Sequence, residues 1–122
     1  MRGGFCFAVA TTFHHSTRDP FAIKVTFQPP HSPPVVWYMD RELLLNGTRA
    51  PAGMGDVRIR PVPGPGCAGG LQIRLGIFPC VHFTLDRAAL TDWLSLTCAL
   101  VPPGTESEHL DWQPLNELLR SA

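Results

Sequence analysis

Lysine is almost absent from this chain: Lys24 stands alone beside nine arginines. Net charge is also lacking, with ten basic residues balancing ten acidic ones. That balance argues against the long-range attraction to nucleic acid or anionic membrane that a basic chain exerts. It also removes one brake on self-association. No apolar run approaches the length of a membrane span. Residues 1–13, with one charge and a short apolar run, do not make a secretory signal. The four cysteines, Cys6, Cys67, Cys80 and Cys98, never stand in a Cys-x-x-Cys pair. They are expected to be reduced thiols of a cytosolic protein, where a free cysteine commonly serves as a small buried hydrophobe. Catalytic signatures are missing as well. There is no Gly-x-Ser-x-Gly elbow, and no cysteine stands in a nucleophile signature. Gly64, Gly66, Gly69 and Gly70 are not followed by Gly-Lys-Ser/Thr, which leaves no phosphate cradle.

What is present is enough for one domain spanning residues 1–122. At 44% hydrophobic residues the chain can bury a core, so disorder is not the default. Residues 5–13 alternate, with Phe5, Phe7, Val9 and Phe13 on one face and Cys6, Ala8, Ala10 and Thr12 on the other. Residues 16–20 read as a turn. Residues 21–28 alternate again, Phe21, Ile23, Val25 and Phe27 inward and Lys24, Thr26 and Gln28 outward, which predicts a hairpin. Prolines bar residues 29–34 from a sheet ladder. Residues 35–39 predict a third strand. Residues 41–45 either extend it or make a helical turn, closed by Asn46-Gly47, and residues 51–55 read as another turn. Strands at 57–60 and 71–75 flank a Pro/Gly-rich loop over 61–70, and Val81, Phe83 and Leu85 line one face of a further strand. From Asp86 the spacing turns helical: Leu90, Trp93, Leu94, Thr97, Cys98 and Val101 recur on one side. Asp86 suits the N-cap and Pro102-Pro103-Gly104 the stop. A last helix begins at Leu110-Asp111, with Leu115, Leu118 and Leu119 as its stripe. No internal repeat interrupts the chain. Strands first and helices last give an α+β class, antiparallel β-sheets followed by two C-terminal helices.

Few residues offer chemistry. Cys80 and His82 share a strand face and make half a metal site, but no further ligand follows at metal spacing. A core thiol and a surface imidazole are the better explanation, and no metal is assigned. His14 and His15 are adjacent on an extended segment, so they point to opposite faces. Arg58 and Arg60 share the outer face of their strand, and Arg74 faces outward on the next. Paired, those strands would gather three guanidinium groups on one sheet face. Single-stranded nucleic acid uses such faces when aromatics accompany them, but here the aromatics sit elsewhere. A solvated face, or pairs with Asp and Glu, is the blander reading. Trp93 and Trp112 fall on the helices, as core residues or as anchors of an interface.

One set of residues says more by its order. It runs Asp19-Pro20-Phe21-Ala22 with Thr26-Phe27; then Trp37; then Arg41 with Leu43, Leu44 and Gly47. Pro51, Gly53, Gly55, Asp56 and Val57 follow, and finally Leu100-Val101-Pro102-x-Gly104-x-Glu106. In that order and spacing the chain, from about Ala8 onward, resembles the SsgA-like proteins of sporulating actinobacteria. The arginine, proline and glycine bias, typical of GC-rich coding, agrees with such a source. The resemblance implies a whirly-like α+β fold assembled as a trimer. It implies a non-enzymatic regulator of sporulation-specific cell division, cytoplasmic at the division septum, with no cofactor and no membrane insertion. The partners it implies are the tubulin-like division protein FtsZ or the septal peptidoglycan machinery. A single-stranded nucleic-acid binder through Arg58, Arg60 and Arg74 is the alternative. Within the motif, Gly53 and Gly55 would permit positive φ in a tight turn. Asp56 would accept N–H groups there, and Arg41 would pair with Asp56 or Glu42. Two departures stand out. Family members usually carry a strand before residues 5–13, so an open sheet edge is expected. And His14-His15-Ser16-Thr17 replaces the family's usual aromatic-Asp turn entry.

Overall fold

The fold, a computed structural model, is described for residues 9–63, 69–77, 80–110 and 118–119. Alternation in the first half produces a three-stranded antiparallel sheet, β1 (Ala10–Ser16), β2 (Asp19–Gln28) and β3 (Val35–Asp40), in the order β1-β2-β3. The hairpin is tighter than the sequence suggests, because Asp19 and Pro20 already belong to β2 and a register shift falls between His15 and Ser16. Ile23, Val25 and Phe27 are buried as expected. Phe21 is not: β2 pairs with β3 only from Ala22 onward, and Phe21 lies past that cover, 41% exposed. Among the described residues β1 pairs only with β2, leaving its other side an open edge.

Of the two readings of residues 41–45, the helix is correct. α1 (Arg41–Gly47) starts where Asp40 turns its carboxylate onto the Glu42 N–H at 3.2 Å. Arg41, Leu44 and Gly47, three apart, form its buried face. Gly47 sits hard against β5, where a Cβ would lie 2.7 Å from the Ile59 Cβ, so only glycine lets the helix approach this closely.

The second sheet runs β4 (Ala52–Met54), β5 (Val57–Val62), β6 (Gly70–Leu75) and β7 (Val81–Asp86), all antiparallel and adjacent in chain order. β4 corrects the reading of residues 51–55 as a turn alone. Its three residues pair with Val57–Ile59, and only Gly55-Asp56 turn. β5 continues through Pro61, because β4 stops opposite Ile59 and leaves β5 an open side there. α2 (Arg87–Leu100) begins as read: Asp86 accepts the Ala88 N–H at 3.0 Å, and Leu90, Leu94 and Thr97 face inward. Of the second C-terminal helix only Leu118 and Leu119 are described, both helical. The rest of it, with Trp112, lies outside the described residues, as do Phe5, Phe7, Cys6 and Cys67.

The core forms where the two sheets and both helices meet. Ile23, Val25, Phe27 and Met39 come from one sheet, Ile59, Leu71, Ile73 and Leu75 from the other, and Leu44, Leu90 and Leu94 from the helices. Phe27 stacks on Phe83 with ring centroids 3.9 Å apart, which ties the sheets together. Each such side chain contributes about 1.5–3 kcal/mol by leaving water. Trp37 packs half-buried against this cluster, and Pro20 is fully buried.

Candidate functional site

Two clusters of arginine chemistry emerge, and they differ in burial. The first is internal. Arg41, at the start of α1, is fully buried. Its Nη1 donates to the Thr97 carbonyl at 3.1 Å and approaches the Thr97 hydroxyl at 3.4 Å. Its Nη2 donates to the Glu106 carboxylate at 2.9 Å. Glu106 is held from its other oxygen by the Gly104 N–H at 2.7 Å. The Arg41 hydrogen bond, with backbone N–H groups assisting, holds the Glu106 carboxyl below its usual 4.5 against an opposing effect of burial. The expected pairing of Arg41 with Asp56 or Glu42 is therefore wrong. The buried face of α1 carries Arg41 toward the end of α2, away from Glu42, and Asp56 is an exposed turn residue. Arg41 is not a surface group and cannot touch a partner directly. Glu106, named in the sequence only as a motif residue, is the one that completes this cluster. A separation of 65 positions left no local signal for it.

The second cluster is external. Strand alternation sends Arg58 and Arg60 outward, and the β5–β6 register places Arg58 directly opposite Arg74 and Arg60 opposite Gln72. The next register step sets Arg74 opposite His82. The three expected arginines thus share one face, as their parity suggested. His82 and Gln72 join them, and pairing parity was the signal that could have found both. The face opens into a groove of about 600 Å³ walled by Arg58, Arg60, Arg74 and His82, with residues 51–53 at one side. Arg60 Nε donates to Gln72 Oε1 at 3.1 Å. Arg74 Nε is out of water with no partner. Among the described residues the only ion pair is Arg41–Glu106, so no carboxylate answers the three arginines. Gly53 shapes the groove. It has positive φ, and a Cβ there would lie 2.5 Å from the Arg58 Cδ, so the bare glycine is what lets the Arg58 stem cross β4. Gly55 and Gly104 also take positive φ.

The remaining candidates stand apart. Asp56 accepts the Gly76 N–H through its backbone carbonyl at 2.8 Å, closing the end of the second sheet. Trp93 is half-buried between α2 and β1, its ring centroid 5.8 Å from that of Phe13, and lines a smaller groove with Thr11 and Ala89. Asp19 and Pro102 are exposed at element ends. Cys80 Sγ lies 3.9 Å from His82 Nε2, and no group of three metal-ligating side chains forms among the described residues. No helix among the described residues is long and apolar enough to cross a membrane.

Comparison with known proteins places this architecture. Residues 9–106 match the family model described as Streptomyces sporulation and cell division protein, SsgA. The sporulation-specific cell division protein SsgB of Streptomyces coelicolor is 37% identical over 114 residues, 91% of this chain and 82% of the relative. A sporulation-specific cell division protein of Frankia casuarinae is 34% identical over 93% of this chain and 79% of its own length. Among solved structures, the SsgA-like sporulation-specific cell division protein of Thermobifida fusca superposes with a TM-score of 0.78 at 32% identity, over 93% of this chain and 82% of that one. A structure from work on SsgB mutations that correlate with longitudinal cell division during sporulation of Streptomyces coelicolor gives 0.77 at 35% identity, over 83% and 80%.

Proposed function

The chain belongs to the SsgA family of sporulation and cell division proteins, and within sporulation-specific division we propose that it works as a non-enzymatic adaptor. It acts by protein–protein contact at the septum, as a homo-oligomer, trimeric by family resemblance, and its partners belong to the division machinery, FtsZ or the septal peptidoglycan apparatus. The observation that carries this reading is the distribution of polar side chains. Arg58, Arg60, Arg74 and His82 gather on an open sheet face, where no carboxylate among the described residues pairs with the arginines. A shallow face of fixed cations suits recognition of another surface. The buried Arg41–Glu106 pair serves to hold the two helices and the chain after them in place behind that face.

The test is live imaging of a fluorescent fusion in the sporulating host, with FtsZ in a second colour. Ladders of foci at or before the FtsZ rings support the adaptor role. A diffuse signal throughout sporulation removes it.

A further inference from the structure

The outer face of the second sheet carries an arrangement that folding alone disfavours. Arg58 and Arg74 are direct cross-strand neighbours, and like charges so placed repel. No carboxylate among the described residues relieves them. The exposed Arg58 lays its stem over Gly53, where a Cβ would collide. Arg74 has an Nε out of water and unpartnered. Gln72 steadies Arg60 through its Nε, which leaves the terminal nitrogens of that guanidinium to face outward. His82 closes the row beside Arg74.

We infer that this face docks an acidic polypeptide segment, whose carboxylates take the forks of Arg58 and Arg74, with Arg60 and His82 at the margin. The inference rests on the adaptor reading and names the partner's chemistry. Guanidinium groups match carboxylates bidentately, and they do so best where donors are fixed in advance. Arg58 and Arg60 are two residues apart on one strand, about 7 Å by strand rise, the repeat at which an extended peptide presents alternate side chains. Single-stranded nucleic acid fits less well. No Phe, Tyr or Trp stands on the outward positions of β5, β6 or β7 to stack a base, and the chain's zero net charge supplies no wider field to gather phosphates.

The experiment is fluorescence anisotropy of a labelled oligoglutamate peptide with the full chain. The expected result is saturable binding at about 0.05 M salt that fades by about 0.5 M as the charges are screened. Arg58→Gln and Arg74→Gln should each weaken it about tenfold, the scale of a lost charge-assisted hydrogen bond. Lys24→Gln, on the other sheet, should bind as wild type, and thermal melts establish that each variant is folded. Absence of saturable binding, or binding indifferent to both arginine substitutions, overturns the inference. So does a labelled oligothymidylate of matching length that binds more tightly through the same two arginines. A chain that marks septa yet ignores oligoglutamate loses this site and keeps its adaptor role.

Discussion

Arg41 and Arg74 are the same side chain put to opposite uses about one common core. Arg41 is sealed inside, and its terminal nitrogens are taken up by Thr97 and Glu106. Arg74 faces outward between Arg58 and His82, with no carboxylate among the described residues paired to it. Each leaves an Nε without a partner, so the difference lies in the terminal groups. Where those are matched from within, the arginine is architecture. Where they are left open and crowded by their own kind, like charges stand side by side, and an outside anion would relieve them. Arginine content alone does not separate the two cases, but the accounting of donors does.

The largest test of this contrast is removal of each arginine in turn. Arg41→Ala strands the Glu106 carboxylate and empties a buried site. It should lower stability by about 3–5 kcal/mol, the range for breaking a buried pair from one side. Urea denaturation of Arg41→Ala beside Arg74→Gln reads this directly, and a loss below about 1 kcal/mol, the scale of an exposed pair, would show that Arg41 is not the fastener its geometry implies. The same bond has a pH signature. The folded-state pKa of Glu106 is depressed, so its contribution is fully present above the ordinary carboxylate value of 4.5 and is lost as pH falls through the lower folded value. Acid titration of the melting temperature should therefore show a loss in that window that is smaller in Glu106→Gln, which cannot titrate. Parallel acid curves for the two proteins would argue that other carboxylates set the response.

A smaller effect probes how the two regions are joined. Gly47 closes the helix that Arg41 opens, and it rests on Ile59, whose strand neighbours are Arg58 and Arg60. Gly47→Ala pushes a methyl into that contact and should destabilise by about 1–3 kcal/mol, as overpacking does. Ile59→Val made in the same chain should recover none of it, because valine keeps the Cβ and Cγ2 that the new methyl meets. If the alanine variant melts like wild type, the helix is not seated on β5 as closely as the structure has it.

How far these features were legible beforehand follows from how local they are. Ile23, Val25 and Phe27, and Leu90 with Leu94, obeyed their periods because one strand or helix writes the whole pattern. The family motif supplied the identity of the fold, through the order of short pieces. α1 stayed ambiguous because seven residues span barely two helical turns, and the Asp40 cap that decides it also reads as the end of a strand. β4 hid among Pro51, Gly53 and Gly55, since a three-residue strand has no alternation to show. The outward arginines were legible, because parity puts Arg58 and Arg60 on one face, and the inward Leu71, Ile73 and Leu75 leave Arg74 pointing outward on its own strand. Parity puts Gln72 and His82 on that same face too, but which arginine each one opposes required the register itself. The Arg41–Glu106 bond required the full tertiary fold, for nothing in the residues near Arg41 distinguishes Glu106 from the adjacent Glu42.

The finest test concerns the cost on the open face. If Arg58 and Arg74 repel across the β5–β6 ladder, then Arg74→Gln should not weaken the fold. It should strengthen it by a few tenths of a kcal/mol, up to about 1, the scale of a like-charged cross-strand pair. Salt gives an independent reading, because screening acts on exposed charges and hardly on buried ones. Wild type should gain stability as salt rises, and Arg74→Gln should gain less, while the Arg41 pair contributes little to either slope. A protein stabilised by losing an arginine from one region and crippled by losing one from the other would make the division quantitative. If both substitutions destabilise and salt has no effect, the outward arginines are structural too, and the distinction between the two regions collapses.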